Sequence, residues 1–212
     1  MKILKDKSEI EFKEKGSKFF GIIEKINSRE EAEQKIKEYW KLHSKATHIC
    51  TAYRYDLKDI KSFFDDNGEP SMTAGAPILQ VIEGNDLVNV LILVIRYFGG
   101  TLLGKGGLIR AYSKAARDVI EASSFLEVYE KNETVIDLNY DEYNLITYWM
   151  RTNNVVSYNE DFQETIRLNL FLDDNELNSL KEYYEIQKKY PLQYKNLGNV
   201  LATKNRGKWD KI

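Results

Sequence analysis

The glycine-rich segment RYFGGTLLGKGGLIRAY (residues 96–112) holds the residues whose types and spacing could carry chemistry. It follows a long apolar run, and a strand that enters clustered glycines before a helix leaves backbone N–H groups free to bind an anion. Gly99 to Lys105 also fits G-x-x-x-x-G-K, the opening of a nucleotide-binding loop. Gly106 then stands where that loop requires a hydroxyl on Mg²⁺. The segment therefore predicts a turn that can seat an anion, and not a nucleotide hydrolase.

Conformation and packing give these glycines a second interpretation. Gly99 and Gly100 let a strand end in a backbone region closed to other residues. Glycines in the following turn would let the helix pack closely on the sheet. Both interpretations are compatible, because glycine also eases the approach of an anion to the backbone. The anion-binding candidates in this segment are Gly104, Lys105, Gly106 and Gly107.

Basic residues on the following helix suggest a nucleic-acid surface. Arg110, Lys114 and Arg117 are spaced i, i+4 and i+7, so they form one ridge that suits phosphate groups. The same residues also suit an ordinary solvated face, with Lys114 paired to Asp118 and Arg117 to Glu121. Elsewhere in the chain, the basic candidates for the same surface are Lys18, Arg54 and Arg96.

An acidic turn precedes Pro70 and contains Asp65, Asp66 and Glu69. Neighbouring carboxylates can hold a metal or perform acid–base chemistry. The simpler interpretation is a turn whose polar groups cap the next segment. Asp66, Ser71 and Thr73 are the capping candidates. His48 has no catalytic partner nearby in the sequence, so we expect a structural imidazole bonded to backbone.

Composition narrows the classes of function. The 212 residues carry a formal net charge of −2, so nucleic-acid binding would need a local basic patch. The single cysteine, Cys50, excludes an internal disulfide and favours a reducing compartment. With two histidines the chain has no zinc-type ligand set. Because no apolar signal or membrane-spanning run is present, we expect a cytoplasmic protein with no cofactor, metal or membrane contact.

The elements that position these residues follow from periodicity. In the first part, residues 1–130, we expect two strands meeting at Gly16, a helix opened by Ser28 with Glu31, and further strands around HICTAYRY and LVNVLILVIRY. A helix follows the glycines from Gly107 to about Ser123.

The second part shows a β-α-β-β-α-β pattern, typical of a ferredoxin-like domain over residues 131–196. The polar KNE separates LEVYE from TVIDLNY as two strands near this boundary. Asp173 with Glu176 is expected to cap the second helix of this domain. Residues 197–212 are expected to be a mobile basic tail.

Three segments together resemble the YigZ/IMPACT family: GSKFFG (16–21), HSKATHICTAYRY (43–55) and DDNGEPSMTAGAPILQVIEG with the glycine-rich stretch that follows it. The resemblance covers residues 16–125, and the region after 131 resembles the C-terminal domain of bacterial members. It implies an α+β protein, with a ribosomal-protein-like α/β sandwich followed by the ferredoxin-like domain. Lys105 and Met72 replace residues that are usually small in the family. The family's characteristic turn makes a functional surface of Asp65, Asp66, Glu69, Ser71 and Thr73.

The resemblance also implies a function. Eukaryotic relatives regulate translation initiation during amino-acid starvation. We therefore expect a non-enzymatic protein that binds the ribosome, RNA or a translation factor through its N-terminal domain, with no catalytic residue. The alternative is an enzyme acting on a small phosphorylated ligand, which would require the carboxylates of 65–69 and the amides of 104–107 to line one pocket. A third hypothesis is a protein-interaction module working through the C-terminal domain.

Overall fold

The computed structural model describes all 212 residues and divides them into two compact units, Met1–Leu126 and Glu127–Ile212. Unit 1 contains β1 (Lys2–Asp6), β2 (Ser8–Glu14), β3 (Ser17–Lys25), α1 (Arg29–Leu42), β4 (His48–Tyr55), β5 (Lys61–Asp65), α2 (Gly75–Gly84), β6 (Val90–Tyr97) and α3 (Gly104–Glu121). The long strand β7 (Ser124–Leu138) crosses the boundary between the units. Unit 2 continues with α4 (Tyr140–Thr152), β8 (Ser157–Phe162), β9 (Ile166–Leu172), α5 (Asp174–Lys188), β10 (Lys195–Asn205) and β11 (Lys208–Lys211).

Unit 1 is an antiparallel sheet of order β2-β3-β6-β4-β5 with helices on both faces. The central strand β6 is buried on both sides because its apolar residues alternate between two cores. Val90, Ile92 and Val94 face the core under α2 and α3. Leu91, Leu93 and Ile95 face the core under α1. By the same alternation Arg96, the next even-numbered residue, points to the α3 side, where the glycine-rich turn follows.

Unit 2 has the strand order β10-β7-β9-β8, with β11 added beside β10. Numbered along the unit, these four antiparallel strands read 4-1-3-2, which is the ferredoxin-like arrangement. The helix α5 begins at a capping box in which Asp173 accepts a hydrogen bond from the Glu176 amide and Glu176 bonds back to the Asp173 amide. The α+β class, with a sandwich followed by a ferredoxin-like domain, is confirmed.

The segment KNE does not separate two strands. β7 runs through it without a break, and the boundary between the units falls at residues 126 and 127. Lys131 is buried there because its ammonium group is held by Asp173 at 3.0 Å and Glu176 at 2.8 Å. Paired in this way, a polar residue sits inside a strand without interrupting it.

Residues 197–212, expected to be a basic tail, lie instead in the hairpin of β10 and β11. Arg206 and Gly207 both have positive φ, 49° and 82°, which is the two-residue turn that joins hairpin strands. The ring of Trp209 then contacts Tyr129 and Phe171 edge-on, at centroid distances of 5.4 and 6.2 Å. These aromatic contacts fold the end of the chain onto unit 2. None of the five helices has the length and hydrophobicity to cross a membrane.

Candidate functional site

The α3 ridge, defined as Arg110, Lys114 and Arg117, is exposed along one face of the helix. Lys114 pairs with Asp118, one turn further along. Arg110 and Arg117 form no ion pair, so the expected pairing of Arg117 with Glu121 is not formed. Two guanidinium groups of the ridge are therefore free to bind an anionic partner.

Lys15 and Phe12 lie beside the α3 ridge, on the side of β2. Lys15, in the turn between β2 and β3, lines a groove of about 210 Å³ together with Phe12, Arg110 and Lys114. The Lys114 ammonium group lies 5.0 Å from the centre of the Phe12 ring. Lys15 is not among the basic residues predicted for this surface, although its position beside Gly16 at a strand turn is a usable signal in the sequence.

Lys18 and Arg54 do not join this surface. Lys18 pairs with Glu11 at 3.0 Å and lies over Phe20, whose side chain packs in the α1 core. Arg54 donates to the Leu87 carbonyl oxygen at 3.0 Å. Because His48 pairs with Arg96 and Arg54 with Val90, Arg54 lies at the opposite end of β4, about 20 Å from His48.

Arg96 is buried and takes part in a polar cluster instead of a surface. Its Nη1 donates to Glu69 Oε1 at 2.5 Å, and its Nη2 donates to Ser17 Oγ at 3.3 Å. The Tyr112 hydroxyl donates to the same Glu69 oxygen at 2.8 Å. Burial, the neighbouring Cys50 and Glu69 together raise the pKa of Tyr112 far above its usual value, so this hydroxyl stays protonated as a donor.

His48 stands at the edge of that cluster. Its Nδ1 lies 2.8 Å from the Asn67 carbonyl oxygen, which can only accept, so Nδ1 carries the proton. Its Nε2 lies 3.9 Å from Glu69 Oε1. The expected backbone bond is present, but the sequence did not reveal that Glu69 would be a neighbour.

The acidic turn caps α2, as predicted from the sequence. Asp66 accepts hydrogen bonds from the amides of Met72, Ala74 and Gly75 at 2.7 to 2.9 Å. Asp65 accepts from the Asn67 amide at 2.7 Å. Two of the three acids in this turn are thus engaged by backbone N–H groups.

Ser71 and Thr73, the two hydroxyl residues predicted to belong to the same functional surface as the acidic turn, differ in exposure. The Thr73 hydroxyl is buried and donates to the Pro70 carbonyl oxygen at 2.5 Å. Ser71 is exposed and forms no hydrogen bond through its side chain. Only Ser71 of this pair is therefore open to a partner.

A second groove, called the β6–α3 groove here, opens beside the glycine-rich turn with a volume of about 450 Å³. Its walls are mostly apolar, and its polar groups come from His48, Glu69, Arg96 and the first residues of α3. The lining residues are Thr47, His48, Glu69, Pro70, Arg96, Phe98, Leu102, Leu103, Gly104, Lys105 and Leu108. Glu69 thus meets Gly104 and Lys105 in one groove, whereas Asp65 lines a different groove on the α1 side.

The glycines of the turn divide into distinct roles. A Cβ on Gly99 would lie 1.9 Å from the Gly16 carbonyl group, so the backbones at Gly99 and Gly16 approach too closely for any side chain at position 99. Gly100 and Gly104 have φ of 86° and 70°. A Cβ on Gly106 would meet only the Arg110 guanidinium, at 3.5 Å. Tight packing of the helix on the sheet therefore explains neither Gly104 nor Gly106.

No group of three His, Cys, Asp or Glu side chains is arranged to hold a metal ion. The burial of Cys50 raises the pKa of its thiol to about 12, so it is a protonated core residue, as expected, and not a nucleophile. The site offers hydrogen-bond donors and an apolar surface.

Comparison with known proteins places this site within a domain that matches a family model. The Impact N-terminal domain matches residues 15–120, which include the β6–α3 groove and the α3 ridge. The IMPACT family member YvyE of Bacillus subtilis (strain 168) is 31% identical over 183 residues, covering 85% of this chain and 83% of that protein. Protein IMPACT of Oryctolagus cuniculus is 30% identical over 97 residues, covering 45% of this chain and 30% of that protein. A crystal structure of a hypothetical protein shares the fold, with a TM-score of 0.59 and 22% identity over 93% of this chain and 97% of that one.

Proposed function

The chain belongs to the IMPACT family, and on that basis we propose that it is a non-enzymatic, translation-regulator-like protein that binds the ribosome, RNA or a translation factor through unit 1. The role of eukaryotic relatives in translation initiation, implied by the family resemblance, supports the choice of partner. The match to the Impact N-terminal domain, residues 15–120, lies within unit 1. Unit 1 is accordingly the part assigned to binding.

The α3 ridge is the observation that carries this proposal. Arg110 and Arg117 are exposed and unpaired on a protein whose net charge is −2. Lys15 and Lys114 stand beside them along a groove that also contains Phe12. Cations clustered on one face, with the two arginines unpaired and an aromatic ring beside them, suit the phosphates and bases of an RNA strand.

The salt dependence of RNA binding tests the assignment. We expect the double variant Arg110→Ala/Arg117→Ala to lower the slope of log K against log salt by roughly one to two units, because each lost phosphate contact removes about 0.7 to 0.9. The matched control is Lys37→Ala/Arg151→Ala, which removes the same charge from exposed positions on α1 and α4. An unchanged slope in the ridge variant, or an equal drop in the control, would remove the ridge from the proposal.

A second candidate, an enzyme acting on a small phosphorylated ligand, is favoured by one observation: His48 lines the same groove as the start of α3. The acids offer it less support, because Asp65 and Asp66 are engaged as caps and Glu69 is bonded to Arg96 and Tyr112. Turnover of a phosphorylated metabolite that His48→Ala abolishes would establish this candidate. A set of such metabolites left unchanged by the wild-type protein would argue against it.

A further inference from the structure

One wall of the β6–α3 groove is an exposed aromatic ring on a fixed backbone. Phe98 directly follows β6, and its amide donates to Thr47 Oγ1 at 2.9 Å. Phe98 is 45% exposed, and the neighbouring Leu102 is 81% exposed. A rigid, exposed aromatic face beside apolar side chains is the kind of surface on which a nucleobase stacks.

The other end of the groove is an uncapped helix start. No side chain caps α3, and its first turn holds no acid. The first N–H groups of a helix have no partner within it, and the helix dipole places partial positive charge there. Lys105, which lines this end of the groove, adds a full positive charge. This end of the groove therefore suits a phosphate group.

An independent feature of the groove also calls for a ligand. Arg96 lines it and is only 4% exposed, yet its Nε has no hydrogen-bond partner. Glu69 and Ser17 occupy its other nitrogens. Buried donors are nearly always satisfied, so an unpartnered guanidinium nitrogen on a residue that lines the groove favours a ligand that brings an acceptor to it.

Taken together, these groups lead us to propose that the β6–α3 groove binds one nucleoside monophosphate unit, with the base on Phe98 and the phosphate at the start of α3. The volume of about 450 Å³ lies within the range of small-molecule sites. Where the protein binds RNA, as the proposed function holds, the bound nucleotide is an unpaired nucleotide of the strand that the α3 ridge contacts. A free mononucleotide offers the same chemistry.

NMR titration of the full-length protein with AMP, adenosine and inorganic phosphate tests the groove itself. AMP is expected to shift the amide resonances of Gly104 to Gly107, and to bind at least about ten-fold more tightly than adenosine or phosphate, since each of those engages only one end. Phe98→Ala should weaken AMP about ten-fold and leave phosphate unchanged. The control is Phe64→Ala, an aromatic residue of similar exposure outside this groove. The absence of AMP-induced shifts at α3, or phosphate binding as tightly as AMP, would overturn the proposal.

A single-stranded RNA oligomer separates the two sources of the nucleotide. If the strand supplies it, Phe98→Ala weakens RNA binding about ten-fold without changing the salt slope, because a stacking contact releases no counterion. AMP binding without RNA binding would support the groove with a free nucleotide and contradict RNA as the partner in the proposed function. RNA binding that depends on the α3 ridge, but is unaltered in Phe98→Ala and uncompeted by AMP, would contradict the groove and leave the proposed function standing.

Discussion

Arg96 and Glu69 form a buried ion pair across 27 positions of the sequence, with Nη1 and Oε1 2.5 Å apart and the two side chains 5% and 4% exposed. The pair ties the end of β6 to the acidic turn before α2, next to the glycine-rich segment. Tyr112 from α3 adds a hydrogen bond to the same carboxylate. Three elements of unit 1 are thereby fixed around one side of the β6–α3 groove.

Removing one partner of this pair is expected to be costly. Arg96→Met leaves the Glu69 carboxylate buried without its cation, so the free energy of unfolding should fall by about 3–5 kcal/mol. Arg96→Met combined with Glu69→Gln should recover part of that loss, because no isolated charge remains. Urea denaturation of both variants and the wild type measures the difference. A loss below about 1 kcal/mol in the single variant would show that the pair is solvated.

The contact between Gly99 and Gly16 predicts a strong effect of one methyl group. Gly99→Ala would place a Cβ 1.9 Å from the Gly16 carbonyl group, so the strand ends must separate. We expect a loss of at least about 1–3 kcal/mol in the free energy of unfolding. Gly84→Ala is the control, because its Cβ meets nothing within 4 Å at the end of α2 and should leave stability unchanged or slightly raised. Equal stability of the two variants would contradict the close approach.

The Cys50 thiol is expected to be unreactive while the protein is folded. Desolvation by burial raises its pKa to about 12, and Sγ donates to the Asp66 carbonyl oxygen at 3.0 Å. At about pH 8 a thiol-specific reagent such as DTNB should label the native protein only at the rate of unfolding. The denatured protein should label at once. Rapid labelling in native buffer would show that β4 is open to solvent.

Glu24 predicts a loss of stability in acid. Burial raises the pKa of this carboxyl, but hydrogen bonds from Tyr39 and Lys35, with the charges of Lys35 and Lys7, outweigh burial and hold its pKa below the usual value. A carboxylate with a lowered folded pKa stabilises the protein above its unfolded pKa of about 4.3, and that contribution disappears as the pH falls through the folded pKa.

The variant Glu24→Gln isolates this contribution. It should be less stable than the wild type near neutral pH, and the difference should shrink as the pH is lowered from about 5 to about 3. Urea denaturation across that window gives the difference directly. A gap between the two proteins that stays constant with pH would mean that the charge on Glu24 does not stabilise the fold.

Local patterns in the sequence predicted the elements that local chemistry determines. The continuous apolar run identified β6, and Asp173 with Glu176 identified the start of α5. The strand through KNE was missed because Lys131 is buried by an ion pair with residues far away in the chain. The hairpin of β10 and β11 was missed because it depends on the contact of Trp209 with Phe171.

The site was less predictable than the fold because it too depends on contacts between residues far apart in the chain. Spacing along one helix was enough to bring the α3 ridge together. Arg96 was assigned to the surface because a residue at the end of a strand gives no sign of a partner 27 positions earlier. Lys18 and Arg54 were grouped with the ridge by charge alone, whereas the registers of β3 and β4 place them elsewhere.

Co-sedimentation with purified ribosomes and ribosomal subunits, at low and at moderate salt, shows whether the protein binds the translation machinery through the α3 ridge. We expect binding to one subunit that weakens as salt rises and is lost first in Arg110→Ala/Arg117→Ala, while Lys37→Ala/Arg151→Ala binds like the wild type. Absence of the wild-type protein from every ribosomal fraction at both salt concentrations, or equal binding of the ridge variant, would contradict it.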